Sequence, residues 1–324
     1  SGNTGVGRNA GRALTTGHSN VAVGYNALYT STTENYNTAV GHSALETVNA
    51  ARNTAVGYQA SLSATTGVGN CSVGHKAGRN TTTGQYNVAL GDQALESGTT
   101  GDKNIAIGGF ALHDSTTTEQ NIAIGYNAMG ASTTATRSVA IGYFALDAGN
   151  TGDRNTAVGW QAMTANTTGQ YCTGIGDAAL EANTTGNYNT AVGQAALGAN
   201  TTGHSSVAVG ALALDSATTG IRNICIGYEA GGGITDGGDN ICIGYQAGVH
   251  NTALTTGDDN IYIGDFAYGS DANEVKATVL GYSGVGKGSQ TFFIKADSGV
   301  YNSGNNSSWS TTSDIRIKKN IVDC

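Results

Sequence analysis

The side chains with the most capacity for chemistry return at intervals of seventeen residues. Tyr25, Tyr58, Tyr126, Tyr143, Trp160, Tyr228 and Tyr245 hold one place in a recurring phrase, with His42 and His75 among them and Tyr282 beyond. Such a column could be a ligand-facing stripe, because rings stack on sugar faces. It could equally be a packing ladder within or between chains. Asp92, Asp177, Gln194 and Asp265 interrupt it, which favours packing. Acidic turns such as Gly101-Asp102-Lys103, Gly152-Asp153-Arg154, Gly237-Gly238-Asp239 and Gly257-Asp258-Asp259 offer one or two carboxylates each. Calcium needs several oxygens converging at fixed spacing, so these read as solvated turns. Cys225 and Cys242 stand one repeat apart where Ala is usual and read as stacked buried side chains, with a disulfide between them left open. No Cys/His spacing suggests a metal, no motif suggests a cofactor, and no triad or carboxylate pair stands out.

The elements that must position these residues follow from the phrase itself, Asn121-Ile122-Ala123-Ile124-Gly125-Tyr126-Asn127-Ala128-Met129. It begins at positions 3, 20, 37, 53, 70, 87, 104, 121, 138, 155, 172, 189, 206, 223, 240, 260 and 277, which is seventeen copies. Constant spacing on this scale is the mark of a solenoid array. Position one is Asn in thirteen copies, position five is always Gly, and position eight is Ala until Gly284. Two β-branched residues flanking a small one, as at positions two to four, predict a short strand with positions two and four on one face. We assign that face, with the Ala column, to a thin enclosed core. Ala-Leu in the second half of the unit predicts a second short extended piece, and Thr-Thr-Gly a turn. The Asn column suits a corner, with left-handed backbone and an Asn ladder along the axis.

A coil of this kind must stack on its neighbours through parallel ladders, at roughly 4.8 Å per coil, predicting a rod of about 80 Å. The Ala and Gly columns suit the close approach of another backbone. The expected fold is therefore all-β, a parallel β-solenoid or β-roll of 17-residue repeats in a homotrimeric rod.

Charged residues make up only 12% of the 324, Pro is absent, and 39% are hydrophobic, so order through repetition is favoured over disorder. A net charge of −8 with no basic stripe argues against nucleic acid and against docking on anionic membranes. No apolar run approaches a membrane-spanning length. Thr pairs invite comparison with ice-binding faces, but they lie in turns.

After Gly281 the pattern changes. Gly284-Val285-Gly286-Lys287-Gly288 reads as a hinge and Gln290-Thr291-Phe292-Phe293-Ile294-Lys295-Ala296 as a conventional strand. Then Trp309-Ser310-Thr311-Thr312-Ser313-Asp314-Ile315-Arg316-Ile317-Lys318-Lys319-Asn320-Ile321 resembles the opening of the C-terminal intramolecular chaperone domain of bacteriophage tail fibres and tailspikes, of the endosialidase type. That family's pattern is Ser-Asp-x-Arg-Leu-Lys-x-Asn-Ile, with Ile317 here in place of Leu. The resemblance implies trimerisation followed by self-cleavage between Ser313 and Asp314, with Ser313 as nucleophile and Lys318 as its base. The repeats are similar to the heads of trimeric autotransporter adhesins and to arrays in phage fibres that carry this chaperone.

The expected domains are a repeat shaft over 1–281, a C-terminal β segment or linker over 282–312 and the start of a chaperone domain over 313–324, within a longer chain. The expected function is a structural or receptor-binding segment of a phage tail fibre for host attachment, with a cellular trimeric adhesin or surface fibril as the alternative. Expected partners are its own copies, a host-surface glycan or protein receptor, and other virion tail proteins. No nucleic acid partner, membrane insertion, metal or cofactor is expected. The expected location is the virion tail fibre, extracellular, assembled in the host bacterial cytoplasm. An enzyme acting on surface polysaccharide would need insertions to build a groove, and the repeats have none. Apart from self-cleavage, no enzymatic activity is expected.

Overall fold

The computed structural model describes residues 2–249, 254–295, 300–303 and 310–311 of the chain. They fall into two compact units, Ser1–Cys172 and Thr173–Cys324. In the first, ten three-residue strands recur once per coil: β1 (Thr4–Val6), β2 (Val21–Val23), β3 (Thr38–Val40), β4 (Thr54–Val56), β5 (Cys71–Val73), β6 (Val88–Leu90), β7 (Ile105–Ile107), β8 (Ile122–Ile124), β9 (Val139–Ile141) and β10 (Thr156–Val158). Each pairs in parallel with the next at matching repeat positions, so Ile105, Ile122 and Val139 lie side by side. In the second unit, β11 (Thr173–Ile175), β12 (Thr190–Val192), β13 (Val207–Val209), β14 (Ile224–Ile226), β15 (Ile241–Ile243), β16 (Ile261–Ile263) and β17 (Thr278–Leu280) do the same. The fold is an all-β parallel β-solenoid, and no helix occurs among the described residues.

Two expectations about the coil are corrected. Only one strand forms per repeat, and the Ala-Leu half is a run of turns. The strand is also turned inside out relative to the sequence reading. Position three faces in, with Ala106, Ala123 and Ala140 fully buried, while Ile122 and Ile124 stand half-exposed on the outer face. The interior holds the Ala of position three, the Ala of position eight, the Leu or Met of position nine and the Asn of position one. Where position three is Ala, the channel is one small side chain wide on the strand side, and the β-branched residues stand outside.

The coil's turn holds position nine in left-handed backbone, with Leu112 at φ 50° and Met129 at φ 52°. That conformation costs a non-glycine residue roughly 1–2 kcal/mol. Full burial of Leu or Met returns roughly 1.5–3 kcal/mol. The Leu112 amide is also bonded to the Ala128 carbonyl of the next coil at 3.1 Å. Left-handed residues stand at positions seven, nine and seventeen, and the Asn of position one is not among them. The Asn ladder itself forms. The Asn104 side-chain oxygen accepts the Asn121 amide, and the Asn121 carboxamide donates to the Ala135 carbonyl at 2.8 Å. The position-five glycine is required by geometry: Gly125 has φ 135°, and a Cβ there would collide with the Gly142 carbonyl oxygen.

Interior volume is balanced position by position. In three coils where position three exceeds Ala, position nine shrinks to Gly: Ser72 faces Gly78, Cys225 faces Gly231 and Cys242 faces Gly248. Toward the C-terminal end the column grows through Tyr262 and Val279 to Phe293 on β18 (Thr291–Ile294), which pairs in parallel with β17. The Tyr262 hydroxyl donates to the buried Glu274 carboxylate at 3.0 Å. Burial, reinforced by that charge, pushes the phenol well above its ordinary range. The segment read as a hinge continues the stack instead, since Val285 bridges Tyr268 and the Gly286 amide donates to the Tyr268 carbonyl. Beyond it β18 is met antiparallel by β19 (Val300–Ser303), and β19 by β20 (Ser310–Thr311).

Candidate recognition surface

Three sets of side chains project from the coils of the first unit. The strand face carries positions two and four, half-exposed Val, Ile, Leu and Thr in register, with Val6, Leu90 and Ile141 the more exposed. Cys71 sits in this face, between Thr54 and Val88.

The position-six residues line one edge of that face. Arg8 lies over the Tyr25 ring, and Tyr25, His42, Tyr58 and His75 follow at ring separations of 4.9, 5.3 and 5.5 Å. The His75 imidazole then meets the Asp92 carboxylate at 2.7 Å. Asp92, an interruption in the sequence pattern, thus ends the stack by an ion pair when His75 is protonated. Tyr126 and Tyr143 stack at 5.5 Å with 17° between planes, and Phe144 meets both edge-on. Trp160 is about half-exposed. In the second unit Tyr228 and Tyr245 stack at 5.3 Å and 15°. Neighbouring rings partly cover one another, as in a packing ladder, while Tyr25, Tyr58, Tyr126 and Tyr143 stay 42–46% exposed.

The third set was not read from the sequence. The residue before each phrase, position seventeen, forms a sharp corner and points outward. It is Tyr36, Arg52, Tyr86, Lys103, Arg137 and Arg154 in six coils of the first unit, every one exposed. Their φ values lie between 56° and 63°. Each amide is fixed to the position-sixteen carbonyl of the preceding coil, for example Arg137 to Glu119 and Arg154 to Thr136, both at 3.0 Å. The signal was available as a period-17 column of Arg, Lys and Tyr beside the Asn column.

The acidic turns cap backbone. Asp102 accepts the Gln85 amide and Asp153 the Thr136 amide, both at 2.8 Å, and Asp258 accepts the Gly238 amide at 2.6 Å. Asp239 is held instead by Arg222, whose hydrogen bond keeps that carboxyl below the usual range. Among the described residues no group of three or more His, Cys, Asp or Glu is placed to hold a metal ion. Cys225 and Cys242 are free, fully buried register neighbours, and burial pushes the Cys225 thiol up. His113 bridges Asp114 at 2.7 Å and Glu96 at 3.4 Å on the coil surface. No helix among the described residues is long and apolar enough to cross a membrane. Ser313, Asp314 and Lys318 lie outside the described residues.

The fold defines the chain as a parallel β-solenoid repeat protein with long periodic surface columns. Compared with protein families, with curated proteins and with solved structures, it matches none.

Proposed function

We propose that this chain is a structural and recognition segment of a homotrimeric extracellular fibre of the phage tail type, serving attachment to a host cell. The observation that carries the proposal is the outward strand face. A solenoid that stood alone would gain by placing polar residues at positions two and four. Here those positions are Val, Ile, Leu or Thr in nearly every coil, half-exposed and in register. Two residues on each of ten strands give twenty in the first unit. A stable protein interface uses about 20–30 residues a side. The occupant that matches a seventeen-residue period over such a length is another copy of the same chain.

The count of three, the phage setting, extracellular display on the virion, contact with other tail proteins and assembly in the bacterial cytoplasm rest on the resemblance of residues 309–321 and of the repeats to trimeric fibres. The receptor is a glycan or a protein of the host-cell surface. Enzymatic work is confined to self-cleavage at Ser313-Asp314, with Lys318 as base, in the longer chain.

Cys71 provides the test, because it lies in the outward face. A short bismaleimide added to dilute chain in a Cys324→Ser background is expected to give covalent pairs that vanish with Cys71→Ser. Absence of pairs in that background, with the solenoid circular dichroism intact, would contradict association through this face.

A further inference from the structure

The apolar interior of the first unit is interrupted at β5. The buried apolar cluster that begins at Ala22 runs coil by coil to Ala64. The next coil puts Ser72 at position three, Gly78 at position nine and Thr81 at position twelve, and the coil before it holds Ser61 at position nine. Ser61, Ser72 and Thr81 are 2–3% exposed. Hydroxyls thus end in the interior where the coil of β3 buries Leu45 and Val48.

The backbone does not close up around them. Position nine keeps its bond to the following coil, Ser61 to the Ala77 carbonyl and Gly78 to the Ala94 carbonyl, both at 2.9 Å, against 3.1 Å for Leu45 to Ala60. β5 stays in register with β4 and β6. A coil of the second unit shows the same frame filled. There the Cys225 thiol lies against the place a Gly231 Cβ would take, and Ile234 Cδ1 and Leu214 Cδ2 reach within 3.2 Å of it. At Gly78 the matching groups are Ser72, Thr81 and Ser61, with Ser72 Oγ and Ser61 Oγ at 2.5 and 3.3 Å from the corresponding point. Thr lacks the terminal methyl of Ile, and Ser lacks both terminal methyls of Leu. Their room is on the order of one water molecule or slightly more.

The hydrogen bonds point the same way. Ser61 donates to Ser72 Oγ at 2.8 Å, which leaves the Ser72 proton to find an acceptor. The Thr81 amide is tied to the Gly78 carbonyl at 3.1 Å, but Thr81 Oγ1 is buried with no partner among the protein atoms. At the same position in other coils Ser31 is bonded to Glu34, Ser115 to Thr118 and Ser132 to the Asn150 carbonyl. Gly84 stands where Glu34 and Thr118 stand in their coils, so Thr81 is denied that partner. A buried hydroxyl left in this condition is costly unless water serves it.

We infer that the interior between β4 and β5 is an internal hydration site, with ordered water held between Thr81 Oγ1 and the Ser61–Ser72 pair. The water accepts the Ser72 proton and shares a hydrogen bond with Thr81. Adjacent layers are joined there through water where other coils use apolar contact, whatever the outer faces bind.

High-resolution diffraction from crystals of the whole chain tests this, together with hydrogen exchange on two variants. The parent is expected to show a density peak within hydrogen-bonding distance of both Thr81 Oγ1 and Ser72 Oγ. Thr81→Val keeps the shape and removes the hydroxyl. It is expected to lose the peak and to speed exchange of the Gly78 and Thr81 amides about tenfold, because water and Ser72 lose a partner. Thr81→Ser is expected to keep the peak. An interior without density in the parent would overturn the inference. So would Thr81→Val amides that exchange no faster than the parent's, which is the behaviour of a dry, unpartnered hydroxyl replaced by a methyl. Diffraction from the parent decides the case if a variant does not fold.

Discussion

The amide of Ser138 is held at 2.8 Å by the side-chain oxygen of Asn121, one coil earlier and fully buried. The same Asn121 side chain donates to the Ala135 carbonyl, which closes its own coil. One carboxamide therefore satisfies two buried backbone groups on adjacent layers. Asn121→Ala would strand both, at roughly 1–3 kcal/mol each. The expected outcome is a loss of about 2–5 kcal/mol in chemical unfolding. Ser138 shows the milder case, since its hydroxyl still accepts the Asn155 amide at 3.1 Å. Asn121→Ser should accordingly cost less than Asn121→Ala.

The position-five glycines permit no side chain. Gly125→Ala places a Cβ against the Gly142 carbonyl in a region of backbone space that L-residues rarely adopt. Strain alone costs roughly 1–3 kcal/mol. Thermal unfolding followed by circular dichroism should show a lowered midpoint, whereas Asn127→Ala, at an exposed-side left-handed position, should move it less.

Interior volume can be exchanged between positions three and nine. Gly78→Leu drives a side chain into Ser72 Oγ, which already lies 2.5 Å from where a Cβ would stand, and should cost about 1–3 kcal/mol. Adding Ser72→Ala reproduces the interior of the coil that holds Ala39, Leu45 and Val48, with Thr81 in the place of Val48. The double variant should recover most of that loss, short of the parent by the hydrogen bond between the buried Ser61 hydroxyl and Ser72 at 2.8 Å that it removes.

Much of the fold was legible in the period, because a residue that returns every seventeen positions must meet its own kind one layer away. Which face of the strand points inward was not. Ile122 and Ile124 outrank Ala123 on any hydrophobic scale, and only the narrowness of the closed coil reverses their places. Nor does anything in the residue type of Leu112 or Met129 announce left-handed backbone, which the coil's turn imposes at position nine whatever stands there, Ser61 and Gly78 included. The candidate surfaces were half legible. The aromatic column was seen, but mutual stacking of Tyr126 with Tyr143 depends on ring orientation. The corner column of Arg137 and Arg154 was passed over because a turn residue beside a conserved-looking phrase looks like spacer.

Asp147 gives a pH signature. Burial raises its carboxyl above the ordinary range, opposed by the hydrogen bond from Asn127 at 2.6 Å. A folded-state value raised above the unfolded one means that the folded chain holds the proton more tightly. Stability from this group therefore falls as pH rises from the unfolded value through the folded one, then stays level. Asp147→Asn should raise the unfolding midpoint slightly at pH 7 and leave it unchanged well below the usual carboxylate range, as read by thermal scans at the two pH values.

The most direct measurement is the native mass of the purified chain, compared with that of an Ile107→Ser, Ile124→Ser variant. Both positions belong to the outward strand face, so the variant should keep its circular dichroism. The parent should weigh as three chains and the variant should dissociate at concentrations at least about tenfold higher, as expected when apolar contact area is withdrawn from an interface. A parent that weighs as one chain, or a variant that stays assembled like the parent, would contradict the assignment of that face to self-association.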